Sequence, residues 1–184
     1  NDTLQINSIS KGYLEANVGA DSIVVASGAV SSSVLAGKGD DLISISGGMT
    51  ADSIYGGSGN DSFNFTGSQA TGLVDTGAGI DSVLFGDLGD TITITGALTS
   101  TSIGAGGGAD SLYIKSRMSN ASIEGGAGSD LINFASLSAL ANATTIKGGA
   151  GADSISLYGG ANDLVLDVFS GDSVFGGTGA DSLT

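Results

Sequence analysis

Gly56-Gly57-Ser58-Gly59-Asn60-Asp61-Ser62-Phe63-Asn64 decides the fold of this chain. A glycine-rich turn closes on an aspartate, and a short alternating β segment follows at once. The core of the pattern, Gly-x-Gly-x-Asp, recurs along the sequence. It stands at Gly37-Lys38-Gly39-Asp40-Asp41, Gly77-Ala78-Gly79-Ile80-Asp81, Gly106-Gly107-Gly108-Ala109-Asp110 and Gly126-Ala127-Gly128-Ser129-Asp130. Two more copies are Gly149-Ala150-Gly151-Ala152-Asp153 and Gly177-Thr178-Gly179-Ala180-Asp181. The aspartates are separated by steps of 20, 20, 29, 20, 23 and 28 residues, and Asp21 in Val18-Gly19-Ala20-Asp21 extends the series backwards. Self-similarity at such a period marks a solenoid, each repeat being one coil that buries its apolar face on its neighbours. The longer steps predict a few enlarged coils within a single unit spanning residues 1–184.

Each aspartate precedes a β-branched or aromatic segment, as in Ser22-Ile23-Val24-Val25, Ser82-Val83-Leu84-Phe85 and Ser111-Leu112-Tyr113-Ile114. The alternation suits half-buried strands. A second apolar segment precedes most glycine turns, for example Ser33-Val34-Leu35, Ser53-Ile54-Tyr55 and Ser173-Val174-Phe175. Each coil of about 20 residues therefore reads strand, variable turn, strand, glycine turn. The expected fold is all-β, a parallel β-solenoid of two facing sheets. No segment holds a helical apolar period; residues 135–146 come closest and are read as a short helix or a bulging loop.

Composition narrows the function. The 184 residues include 33 Gly and no Pro, Cys, His or Trp, with a net charge of -14. Collagen needs proline and a three-residue period. Disulfides and zinc-thiolate sites need cysteine. Five scattered Lys and Arg make no nucleic-acid patch. Apolar residues come in pairs and triplets, never in a run that spans a bilayer, and no signal peptide is visible. The acidity calls for a cation as partner.

Glycine and aspartate together say which cation. A reversal in about six residues needs positive φ, which glycine adopts without steric cost. It also leaves main-chain carbonyls accessible. Calcium takes six to eight oxygens, carbonyls as well as carboxylates. Stacked coils bring matching aspartates to about 4.8 Å, where unpaired carboxylates repel. A divalent ion between coils turns that repulsion into a cross-link, so folding becomes conditional on metal. Aspartates in poorer turns, namely Asp52, Asp90, Asp163 and Asp172, are read as local turn residues.

The sequence resembles the RTX calcium-binding repeat, Gly-Gly-x-Gly-x-Asp-x-U-x. Residues 56–64, 125–133 and 148–156 match it in full, and the resemblance extends over the whole chain, most weakly at residues 1–17. It implies a right-handed parallel β-roll with several Ca2+ ions held between adjacent coils. It implies as ligands the carboxylates of Asp41, Asp61, Asp81, Asp110, Asp130, Asp153 and Asp181. Carbonyls around Gly37, Gly39, Gly57, Gly59, Gly77, Gly79, Gly106 and Gly108 would join them, with those around Gly126, Gly128, Gly149, Gly151, Gly177 and Gly179. The repeat departs from the family in its 20-residue spacing, which places the expected ions along one edge. The enlarged steps each hold an extra strand, Thr91-Ile92-Thr93-Ile94 and Leu164-Val165-Leu166. An added half-coil would carry the next motif to the opposite edge, whereas a bulge would leave it in line.

The resemblance implies a secreted or cell-surface protein, typically of Gram-negative bacteria. Without His or Cys the usual catalytic pairs are missing, so no enzyme is expected. The first reading is a calcium-hardened structural module of a surface-layer protein or adhesin, with self-assembly or neighbouring domains as partners. The alternative is the secretion and folding module of a toxin or exoenzyme. An ice-binding roll would need a threonine ladder in every coil, and only Thr91, Thr93 and Thr95 supply one. The chain stops inside a repeat at Asp181-Ser182-Leu183-Thr184, as expected of a piece of a longer protein. Asn120-Ala121-Ser122 and Asn142-Ala143-Thr144 have the glycan-acceptor pattern and carry no weight alone.

Overall fold

The computed structural model describes residues 1–184 apart from 116, 135–139, 142–143, 158–161, 168–172, 177–180 and 184. It is an all-β solenoid in which every strand pairing is parallel. Sheet I stacks Thr3–Ile6, Ser22–Val25, Leu42–Ile45, Ser62–Phe65, Ser82–Leu84, Ser102–Gly104, Ser122–Ala127, Thr144–Ala150, Asn162–Asp167 and Asp181–Leu183. Sheet II faces it, running from Ile9–Ser10 and Tyr13–Glu15 through Met49–Ser58, Gln69–Asp75 and Thr91–Thr95 to Ser173–Gly176. A third, three-stranded sheet consists of Leu98–Thr99, Met118–Ser119 and Leu140–Ala141. These short strands, like Ile9–Ser10 and Ala29–Val30, are additional to the two strands per coil expected from the sequence. The expected helix or loop at residues 135–146 lies partly outside the described residues; within it, Leu140–Ala141 and Thr144–Ala150 are strands.

Register follows the 20-residue period: Ser22 pairs with Leu42, Leu42 with Ser62 and Ser62 with Ser82. In-register stacking turns the sequence alternation into files of like residues. Ile23, Ile43, Phe63, Val83 and Ile103 form one buried file in sheet I. Val34, Ile54, Val74, Ile94, Ile114 and Phe134 form its counterpart in sheet II. Phe65 packs between Phe63 and Phe85, with ring centroids 6.2 and 5.4 Å away. Being fully buried, Phe65 is expected to cost about 3–5 kcal/mol on Phe65→Ala. Thermal or denaturant unfolding of the calcium-loaded protein measures it, and a loss below about 1 kcal/mol would contradict this packing.

The chain turns from sheet II to sheet I at one edge, here the near edge, and from sheet I back to sheet II at the far edge. Glycine turns 37–41, 57–61 and 77–81 are on the near edge, each leading into sheet I. Turns 106–110, 126–130 and 149–153 instead leave sheet I and lead into sheet II. They are on the far edge. The enlarged step between Asp81 and Asp110 therefore contains an added half-coil, and the motifs, expected along a single edge from the spacing, occupy two. Sequence spacing could not decide this, because the motif is followed by the same kind of strand whichever sheet receives it. Towards the end, Ser173–Gly176 is in sheet II and Asp181–Leu183 in sheet I, so the second enlarged step reverses the order again.

Candidate metal-binding ladders

The motif glycines at positions 37, 39, 57, 59, 77, 79, 106, 108, 126, 128, 149 and 151 all have positive φ. Conformation is only half of the requirement. At Gly59, with φ of 127°, an added Cβ would also run into the carbonyl oxygen of Gly39 one coil below. Successive turns are that close because their main chains bond to one another, Gly39 N–H to the Ser58 oxygen at 2.8 Å and Gly59 N–H to the Ala78 oxygen at 2.9 Å. Gly56 serves a different contact. Its missing side chain leaves room for Asp61 Oδ2, the Phe63 ring and the main-chain oxygen of Thr76.

The motif aspartates form hydrogen-bonded ladders. On the near edge, Asp21 N–H donates to Asp41 Oδ1 at 2.8 Å, Asp41 to Asp61 at 3.0 Å and Asp61 to Asp81 at 3.0 Å. Asp2 N–H donates in the same way to Asp21 Oδ1. On the far edge, Asp90 N–H donates to Asp110 Oδ1 at 2.8 Å, Asp110 to Asp130 at 2.9 Å and Asp130 to Asp153 at 2.8 Å. All these rungs from Asp21 to Asp153 are almost wholly buried. Asp181 opens the strand Asp181–Leu183, while Gly177 and Gly179 lie outside the described residues.

One carboxylate oxygen is used by the ladder; the other sets the chemistry. Oδ2 of Asp21, Asp41, Asp61, Asp81 and Asp110 is buried without a hydrogen-bond partner. Burial raises the pKa of Asp41 and Asp81, and pushes Asp61 up to about 6 and Asp110 up to about 7. The N–H of the preceding rung pulls each of them partly back, while neighbouring carboxylates add to the rise for Asp41, Asp61 and Asp110. A buried anion with an unused lone pair is costly unless a cation or proton answers it.

The donor chemistry fits calcium. Every group here is a hard oxygen, and Asp61 Oδ2 shares the space beside Gly56 with the main-chain oxygen of Thr76. Asp130 Oδ2 and the oxygen of Gly148 meet in the same manner beside Gly125. Among the described residues no three acidic, His or Cys side chains gather at one point. An ion at the ladders would have to draw on carbonyls as well as carboxylates, a donor set that suits calcium better than zinc.

Asp52 is different. Ser32 N–H at 2.6 Å and Thr50 N–H at 2.8 Å satisfy its two oxygens, so it caps a corner, as a turn aspartate should. Asp90, expected to behave likewise, is instead a rung. The residues before it, Leu88-Gly89, lack the glycine pair that signals a turn of this kind. The rung at Asp2, in the stretch where the resemblance is weakest, was also missed. Asp2-Thr3-Leu4-Gln5-Ile6 pairs with Asp21-Ser22-Ile23-Val24-Val25, and its signal is the 19-residue offset and the alternation.

The sequence profile described as the RTX calcium-binding nonapeptide repeat (4 copies) matches residues 33–63, 140–168 and 169–184. No curated protein and no solved structure matches the chain. The matched segments fall in both halves of the solenoid, which therefore carries RTX calcium-binding nonapeptide repeats.

Proposed function

We propose that this chain is a calcium-binding structural module of a secreted or cell-surface bacterial protein, such as a surface layer or adhesin. It folds and stiffens when calcium joins adjacent coils. The observation that carries this reading is the row of buried aspartates, in which Oδ2 of Asp21, Asp41, Asp61, Asp81 and Asp110 has no hydrogen-bond partner. Asp41, Asp61, Asp81, Asp110, Asp130 and Asp153 are the carboxylate ligands, helped by turn carbonyls. Asp21 joins them at the start of the near-edge ladder. Bound calcium supplies compact positive charge; the chain supplies the spacing, the dry surroundings and the glycine turns that let coils approach.

The module acts by shape rather than catalysis, because its ladder carboxylates are shut away from any substrate. RTX repeats occur in secreted bacterial proteins, which supports an extracellular location, and a module working there would bind calcium at about 10⁻⁴–10⁻³ M. Among the described residues no helix is long and apolar enough to cross a membrane. Thr93 has Leu73 and Tyr113 as its neighbours above and below, so the threonines of that coil make no ladder for ice.

Asp61→Asn tests the site. It keeps an acceptor for the Asp41 N–H and removes the charge. Hydrogen bonds and contacts to charged groups are worth about 1.5–3 kcal/mol, so calcium affinity should fall roughly 10- to 150-fold. Asp52→Asn, at a corner already satisfied by main-chain donors, should leave binding unchanged. Calorimetric titration with calcium measures both, and equal affinities for Asp61→Asn and the parent would remove the ladder from the site.

A further inference from the structure

The two ladders change places within a few residues. On the near edge the file Asp21, Asp41, Asp61 and Asp81 continues as Thr101, Ala121 and Thr144, the residues preceding paired Ser102, Ser122 and Thr145. These are buried like the aspartates but bear no charge. On the far edge Asp52 is a lone buried carboxylate, and an unbroken file of aspartates begins only at Asp90, nine residues after Asp81 and on the other side of sheet I.

We propose that the turn Phe85-Gly86-Asp87-Leu88-Gly89-Asp90, which lacks the repeat motif, is itself a calcium-binding turn with Asp90 as the first carboxylate of a second stack. This rests on the calcium reading above and extends it to a site outside the matched segments.

Backbone geometry is the first support. Asp90 is 1 % exposed, its N–H donates to the next rung at 2.8 Å, and its carbonyl accepts from Ser111 N–H at 2.7 Å. Asp41 does the same, giving to Asp61 at 3.0 Å and accepting from Ser62 at 2.8 Å. The turn also stacks as a motif turn does. Gly107 N–H bonds to the Gly86 oxygen at 3.0 Å, and a Cβ at Gly106 or Gly108 would collide with the main chain of residues 86 or 88–89.

The second support concerns the ligand directly. The Asp110 carboxyl is aimed at the Asp90 coil, since its Oδ1 accepts the Asp90 N–H, and its Oδ2 is buried with no partner. Something positive must answer that oxygen from this side or the next. Exposed Asp87 adds a carboxylate on the flank of the same turn, where a Gly107 Cβ would be 3.4 Å from its Oδ1. Glycines stack at the Asp52 corner too, Gly67 against Gly47 and Gly48, but both oxygens of Asp52 accept main-chain N–H groups, and Ser32 and Gly72 in the neighbouring coils bring no carboxylate to it.

The chain has no Trp, so a single indole can serve as an antenna for bound terbium. Leu88 and Ile80, 53 % and 63 % exposed, are on the far and near edges. With the full chain, Leu88→Trp and Ile80→Trp should each sensitise terbium emission that calcium displaces. Adding Asp90→Asn to Leu88→Trp should weaken terbium binding there at least tenfold, and adding it to Ile80→Trp should change nothing. Unchanged binding in the Leu88→Trp, Asp90→Asn pair overturns the proposal. So does a silent Leu88→Trp beside an emitting Ile80→Trp, which needs no change at Asp90 and so stands even where Asp90→Asn fails to fold. Silence from both antennas, with no calcium uptake by the parent chain, overturns the calcium reading itself and this site with it.

Discussion

Excess chelator at about pH 7.5 is expected to abolish the strand signal in circular dichroism, and millimolar calcium to restore it. Six rung-to-rung contacts hold carboxylates in register, three on each edge. At the spacing of parallel strands, about 4.8 Å, each pair of unit charges repels by roughly 3 kcal/mol at an effective dielectric constant near 20. Summed over the ladders, the repulsion reaches the ~5–15 kcal/mol that a folded domain has in hand. Ladder hydrogen bonds recover part of it, at about 1.5–3 kcal/mol each when the acceptor is charged. They do not answer the inner oxygens. Binding of calcium to the folded state alone adds about 2.7 kcal/mol per site at a hundred times its dissociation constant. Several sites together reverse the balance. A strand spectrum indifferent to chelator would show that the ladders carry no structural metal.

Acid should do for the metal-free chain part of what calcium does. Asp61 and Asp110 have folded-state pKa values of about 6 and about 7, against about 3.9 for an unfolded aspartate, and Asp41, Asp52 and Asp81 are raised too. A raised folded-state value means that the folded form binds protons more tightly. Stability from this source is fully present below about pH 4 and is lost as pH rises through about 6 to 7. Lowering the pH of chelated protein from about 7.5 to about 5 should therefore raise its denaturation midpoint and recover strand structure. Protons and calcium compete for the same oxygens, so calcium affinity should fall over the same interval. Urea titrations with chelator at several pH values measure the first effect, and calcium titrations the second. Metal-free stability that is flat or declines on acidification would mean that the carboxylates are not desolvated as described.

Much of this architecture can be read from the sequence because one short motif does two jobs. Gly57 and Gly59 mark the turn and Asp61 marks the rung, so their spacing reports coil length. The alternation Phe63-Asn64-Phe65 reports which side chains face inward. The edge on which a motif falls is not written in it, because Ser82 enters sheet I and Ser111 enters sheet II after the same kind of turn. That information is in the number of strands between motifs, and a bulged coil gives the same count of residues. Asp90 escaped notice for a related reason. Its turn is shaped by the glycine turn stacked upon it, a contact with residues 106–108 that local sequence does not report. At Asp52 the local bond from Thr50 N–H is ordinary turn chemistry, whereas the bond from Ser32 N–H crosses from the neighbouring coil and is not written in the local sequence.

The half-coil at residues 81–90 has a mechanical consequence. An elongated body drawn together along one side bends towards that side, as a bimetallic strip does when one layer shrinks. With four rungs from Asp21 to Asp81 on one flank and four from Asp90 to Asp153 on the other, ions that drew the rungs together would bend these two stretches in opposite senses. Between Asp21 and Asp153 the two curvatures would offset each other, displacing the axis sideways rather than turning it. A change of ion occupancy would then alter the stiffness and offset of this span without turning whatever is attached to its ends.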